Sequence, residues 1–183
     1  MKVLKFIPVV FILLVLSISG NGQQFLSRNG FVGFYSKTPL EDIVAENNQV
    51  FAVIDTAKSS LAFALLEKGF IFRKELMQEH FNENYIESDK FPKAEFSGTY
   101  SCPRPMNKEG IYPVTIKGKL TLHGVTKSIE EPATIEIKAG SMLGNSTFHL
   151  KPEDFGIHIP SIVRDKISSE MDVKIQVTWI TKK

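Results

Sequence analysis

The ten residues Val114–His123 alternate without an error between two chemically opposite faces. Val114, Ile116, Gly118, Leu120 and Leu122 fall on one side, and Thr115, Lys117, Lys119, Thr121 and His123 on the other. Successive side chains of a strand point to opposite faces, so this pattern specifies a β-strand with one face against a core and one in water. Gly118 interrupts the apolar face. A glycine in a strand interior contributes no packing and marks a bend or the close approach of something else. Two readings of Gly118 follow: a bend that curls the sheet, or floor space on its concave side.

The same rhythm recurs along the chain. Asn29–Lys37, Gln49–Thr56, Ser60–Leu66 and Gly69–Lys74 read as strands, followed by Ala94–Ser101, Ile111–Leu122, Ala133–Lys138, Ser146–Leu150 and Met171–Trp179. Leu61, Phe63 and Leu65 share one face, and so do Val173, Ile175 and Val177 in the last strand. Two segments break the period. Thr38 with Pro39 and Glu41 forms a capping box, and Leu40, Ile43 and Val44 predict a helix over Thr38–Asn48. Leu76, Met77, His80 and Phe81 recur at helical spacing and predict a short helix within Leu76–Tyr85. Strands at regular spacing without βαβ alternation predict an all-β, antiparallel barrel or sandwich of about eight strands with one or two short helices.

The N-terminus bears on compartment. Lys2 and Lys5 precede an apolar run from Phe6 to Ile18, and Ser19, Gly20, Asn21 and Gly22 follow. This is the layout of a cleavable signal peptide over residues 1–22, with residues 23–183 as one mature domain, periplasmic or secreted. The apolar run is short for a transmembrane helix, so no stable membrane insertion is expected after cleavage. Removing Lys2 and Lys5 from 22 basic residues balances the 20 acidic ones, and a neutral chain gives no footprint for nucleic acid. Cys102 is the only cysteine, which excludes an internal disulfide; a buried, inert thiol is the plainer reading, and a homodimer through it the alternative.

Catalytic apparatus is not visible. The sequence holds no Gly-rich phosphate loop, nucleophile elbow or paired-cysteine motif. Of the four histidines, His149 and His158 fit no standard metal spacing, and His123 reads as a solvated residue beside Gly124. His80, flanked by Glu79 and Glu83, is the best candidate for proton transfer, against the plainer reading of a helix-face histidine. Glu130-Glu131 before Pro132 reads as a solvated loop. No catalytic residue, metal or cofactor is expected. The positive signal is apolar: fourteen phenylalanines, only Phe6 and Phe11 of them in the signal stretch. Most belong to a packed core, yet a barrel of about eight strands has room for one small ligand where its interior is unfilled.

Three stretches resemble the bacterial YceI-like family. LMQEHFNENYIESDKFPKAEF (Leu76–Phe96) is similar to the family's segment that runs from a histidine and an aromatic to the Phe91-Pro92…Phe96 step. GKLTLHGVTK (Gly118–Lys127) resembles its strand and turn, and PEDFGI (Pro152–Ile157) resembles its Asp-Phe-Gly-Ile element. The chain departs from the family at Met77-Gln78, where many members carry Arg-Asp, and in the predicted Thr38–Asn48 helix, where they carry a hairpin. The resemblance implies a lipocalin-like barrel that is exported and binds polyisoprenoids.

The sequence therefore supports an exported carrier enclosing an apolar molecule (a polyisoprenoid, a quinone or a fatty-acid-like lipid) for storage or transport. Each buried methylene contributes about 0.8 kcal/mol, so ten give about 8 kcal/mol before the costs of association. Strand phase nominates Phe63, Phe72, Phe96, Val114, Ile116, Leu120, Ile175 and Val177 as lining, with Met77 and Phe81 near an opening. The alternative is a packed-barrel interaction module acting through its exposed surface.

Overall fold

The structure, a computed structural model, describes residues 24–37, 42–160 and 169–181. In chain order its strands are β1 (Gln24–Ser36), β2 (Ile43–Asp55), β3 (Ser60–Leu66), β4 (Ile71–Phe72), β5 (Lys93–Ser101), β6 (Gly110–Leu122), β7 (Val125–Lys138), β8 (Ser141–Leu150) and β9 (Met171–Thr181). Helix α1 (Glu75–His80) continues into a π-helical turn over Phe81–Tyr85, and 3-10 turns lie at Glu67–Gly69 and Pro152–Phe155. Eight strands pair in the order β1-β9-β8-β7-β6-β5-β3-β2, and β2 pairs back onto β1. All these ladders are antiparallel. The two-residue β4 adds to β2 through Ala45 and Glu46. The expected antiparallel barrel is thus a closed one.

The long amphipathic strands form where they were expected, and their inward phase agrees. Ser60–Leu66 has the predicted limits, and β6 carries Val114 inward and Thr115 outward. Several strands run longer than the sequence suggests. β1 begins at Gln24, because register shifts around Gly30 flip its inward set from Phe25 and Ser27 to Gly30, Val32 and Phe34. A β-bulge of this kind hides a strand from any strict period-two reading.

Over Ile43–Asn48, the part of it that belongs to a described element, the predicted helix Thr38–Asn48 is replaced by strand. Residues 38–41, which carry the capping signals, lie outside the described residues, and Ile43–Asn48 belong to β2. In β2, Ala45 and Asn47 are buried, then Val50, Ala52 and Ile54. The step of three between Asn47 and Val50 mimics a helical interval, and the pairing with β1 and β4 overrides local propensity. The strand expected over Gly69–Lys74 shrinks to Ile71–Phe72. Glu130 and Glu131 are not in a loop but in the middle of β7, opposite Lys117 and Ile116. Lys117 reaches Glu130 at 3.0 Å on the outer surface.

Gly118 pairs with Gly98 of β5. A Cβ on Gly118 would lie 2.4 Å from the Ser97 carbonyl oxygen and 2.6 Å from both the Gly98 Cα and the Phe96 Cζ. The two glycines let β5 and β6 approach closely, and the Phe96 ring lies over them. The concave space at Gly118 is filled by that ring, so the glycine is not floor space; it marks the close approach of β5 and β6.

One end of the barrel is solid. Phe25, Ile54, Leu61, Tyr100, Tyr112, Ile135, Met142 and Trp179 fill it. At the other end, the chain between β3 and β5 folds across the mouth as a lid. Phe81 packs at 5.6 Å on Phe34 of β1 and at 5.1 Å on Phe72 of β4, ring centre to ring centre. His123, in the tight β6–β7 turn with Gly124, pins the lid from the opposite side. Its Nε2 lies 2.8 Å from Glu87 Oε2 and its Nδ1 lies 3.2 Å from the Phe155 carbonyl oxygen. The Phe91 ring stands edge-on at 4.4 Å. Far from being solvated, His123 is a clamp with only 11% of its side chain exposed. The hydrogen bond with His123 holds the Glu87 carboxyl below the usual carboxylate range.

β7 and β8 pair only through Ala133–Lys138 and Ser141–Ser146. Beyond that point the 3-10 turn at Pro152–Phe155 lies against β7, with Lys127 Nζ 2.9 Å from Asp154. Substituting Gly118→Val forces the two strands apart and should destabilise the fold by about 2–4 kcal/mol. Denaturant unfolding compared with wild type measures this, and an unchanged midpoint would refute the close-approach reading.

Candidate functional site

Between the solid end and the lid, the barrel holds a cavity of about 570 Å³ that opens at the mouth. That volume falls within the roughly 300–1,000 Å³ typical of small-molecule sites. Its floor is built from Leu61, Phe96, Ile135, Val177 and Trp179, and its mouth from Phe72, Met77, His80, Phe81 and Ile86. The floor exists because Leu61, Phe96 and Trp179 are buried together across the barrel at this level. Trp179 alone closes much of it, its ring lying over Gly144, where a Cβ would come within 2.5 Å. Phe63 bridges floor and wall, 6.1 Å from Trp179 and 6.2 Å from Phe96 between ring centres.

Of the ten residues nominated from the sequence, nine lie in the cavity wall: Phe63, Phe72, Met77, Phe81, Phe96, Ile116, Leu120, Ile175 and Val177. Val114 does not; it is buried below the floor with Tyr112 and Ile135. Met77 and Phe81 occupy α1 and the π turn at the mouth, near an opening as expected. Sequence reasoning missed Phe34, Val50, Phe148 and Trp179. For Val50 and its neighbours the signal was masked by the phase flip in β2. Trp179 lies on the same face of β9 as Val177, and its place in the floor depends on the facing glycine at 144.

The cavity wall also holds Glu67, a residue no sequence pattern singled out, and Glu131, which stands opposite the inward Ile116. The Asn47 side chain, fully buried, donates from Nδ2 to the Leu66 carbonyl oxygen at 3.0 Å. Its Oδ1 accepts from the Gln49 amide at 2.8 Å. Gly69 passes so close that a Cβ there would sit 2.6 Å from Asn47 Nδ2. From the other side, the Glu67 amide donates to the Pro92 carbonyl oxygen at 3.0 Å. The 3-10 turn is thus fixed on both flanks, and it holds Glu67 in the cavity wall with 1% exposure. Its Oε1 has no hydrogen-bond partner. Burial pushes the Glu67 pKa up to about 8, so near neutral pH the group is a protonated, uncharged acid. On the floor, the Trp179 Nε1–H is likewise buried without a partner.

Catalytic geometry does not assemble around the expected candidate. His80 is exposed at the rim of the mouth. His149 meets Asp172 at 2.6 Å on the outer surface, and His158 is exposed. Among the described residues, no group of three or more His, Cys, Asp or Glu is placed to hold a metal ion. Cys102 is half-buried at the solid end, with its Sγ 3.6 Å from the Pro113 carbonyl oxygen.

The sequence matches the YceI-like domain family over residues 28–179. A polyisoprenoid binding domain from Saccharophagus degradans, implicated in plant cell wall breakdown, has a similar structure. Its TM-score is 0.74 at 12% identity, covering 88% of this chain and 99% of that one. BcnA of Burkholderia cenocepacia superposes with a TM-score of 0.69 at 15% identity, covering 81% and 95% of the two chains. The YCEI protein of Campylobacter jejuni gives 0.56 at 18% identity, covering 100% and 99%. At these identities the likeness is one of fold. No protein of curated function matches the sequence.

Glu67 also sets a pH dependence. Its folded pKa of about 8 lies above the ordinary 4.5, so the folded state holds this proton more tightly than the unfolded chain. Stability from this group is full below about pH 4.5, falls as pH rises, and levels off above about 8. The slope is at most about 1.4 kcal/mol per pH unit. Glu67→Gln removes that slope, so wild type and variant should diverge steadily over this range in denaturant titrations. Parallel curves would mean that Glu67 is not a buried neutral acid.

Proposed function

The chain belongs to the YceI-like family, and from that premise we propose that it is an exported carrier enclosing a long apolar chain inside its barrel for storage or transport. The observation that carries this reading is the cavity itself. It is walled almost wholly by apolar side chains, closed at one end and covered at the other by a lid. An apolar chain entering it leaves water at a gain of about 0.8 kcal/mol per methylene. Chemistry on the enclosed molecule is not required for such a role, which makes the reading one of a binding protein rather than an enzyme. The solved Saccharophagus degradans domain is described as polyisoprenoid binding, and its shared fold makes a polyisoprenoid the first ligand class to try. A packed interaction module is the weaker reading, because a packed barrel would have no such void at its centre.

Export rests on the N-terminal stretch alone. The basic start and apolar run of residues 1–22 support cleavage after Gly22 and delivery to the periplasm or medium. Protein recovered from the exporting host should begin at Gln23, as read by N-terminal sequencing; an intact Met1 in the cytoplasmic fraction would defeat the proposal.

Organic extracts of the purified protein should yield a long-chain lipid near one equivalent by mass spectrometry. Delipidated protein should take up a supplied polyprenol. Ala133→Trp, which adds a ring within the cavity wall, should abolish uptake while the circular dichroism spectrum stays that of a β-barrel. If wild type carries no lipid and binds no polyprenol, the carrier reading fails.

A further inference from the structure

We propose that Glu67 is the polar anchor of the cavity, and that the preferred occupant is an apolar chain ending in an uncharged hydroxyl rather than a phosphate or carboxylate. This inference rests on the carrier reading and specifies the end group of what is carried. The first ground is geometric. Glu67 is 1% exposed, stands in the cavity wall, and leaves Oε1 without a partner. A buried polar atom without a partner carries a free-energy cost, and apolar side chains could occupy the same wall. The Asn47 clamp and the Pro92 carbonyl nonetheless fix the turn that presents it.

The second ground is the charge of the lining. Among the described residues, the ionisable residues bordering the cavity are Glu67, Glu95, Glu131, His80 and Tyr85, of which Glu95 turns its side chain to the outer face; no lysine or arginine borders it. A phosphate or carboxylate drawn inside would be desolvated beside carboxyls, without a cation to pair with. A hydroxyl fits the protonated acid in both directions. The acid O–H donates to the hydroxyl oxygen, and the hydroxyl donates back to the acid carbonyl. Burial, which keeps the Glu67 carboxyl protonated at neutral pH, supports the same pairing.

Trp179 is the sole tryptophan and stands in the cavity floor, so its emission reports occupancy directly. Delipidated protein is titrated with three probes of equal length: an isoprenoid alcohol, its monophosphate and the corresponding hydrocarbon. The alcohol should bind about tenfold more tightly than either of the others, the worth of one well-placed hydrogen bond. Glu67→Leu should bring the alcohol and hydrocarbon within about twofold while hydrocarbon binding persists, and Glu67→Gln should keep most of the preference. A phosphate that binds as tightly as the alcohol overturns the proposal, as does a preference that survives Glu67→Leu. Should that variant fail to fold, equal binding of hydrocarbon and alcohol by wild type overturns it alone. If none of the three probes moves the Trp179 emission, the carrier reading itself fails, a result distinct from failure of the anchor.

Discussion

Everything in this barrel depends on the closure between β1 and β2. Those strands pair along almost their whole length, from Gln24 opposite Asp55 to Ser36 opposite Ile43. Without that ladder, β1 and β2 would each expose a row of unpaired amides and carbonyls, and the sheet would be an open, curled layer. With it, eight strands set an interior about wide enough for side chains to fill, or for one ligand. Which of the two occurs is then decided locally. Aromatic and branched residues fill one end, and smaller contributions such as Ala133 and Ser146 leave the middle empty.

The sequence was legible where one face is apolar throughout and the period is unbroken. β3 and β9 show this, as does β6 apart from Gly118, and their inward Phe63, Ile116, Leu120, Ile175 and Val177 all lie in the cavity wall. It was misleading where the backbone shifts phase. β2 places Asn47 inward three positions before Val50, and a polar residue in an inward slot looks like a turn or a helix end. The buried Asn47 is there to hold the Glu67 turn, a role that exists only once β2 and the β3–β4 connection are side by side. Glu67 was illegible for the same reason. In one dimension it is a charged residue beside Lys68, with every sign of being solvated.

His123 shows the same limit from another direction. Its position after an amphipathic strand and before glycine identified the turn, not the clamp. The acceptors that meet its two ring nitrogens come from Glu87 and Phe155, far away in sequence. Both Glu87 and His123 hold φ near +50°, a conformation that costs a non-glycine residue some backbone energy. The clamp and the phenyl rings of Phe34, Phe72 and Phe81 together secure the lid on opposite sides of the mouth. Stability is thus concentrated around the opening as well as at the solid end.

The pairing of β1 with β9 has a consequence in time. Phe25 lies opposite Thr181, so the first described strand is completed by the last. Contacts of such long sequence separation carry a large loop-closure entropy and slow the folding of β-rich chains. Until β9 has emerged from whatever pore or ribosome delivers the chain, β1 and β8 both remain edges and no enclosed volume exists. The compartment that receives the C-terminus is therefore the one in which the ring closes, and a cavity can first acquire an occupant only there.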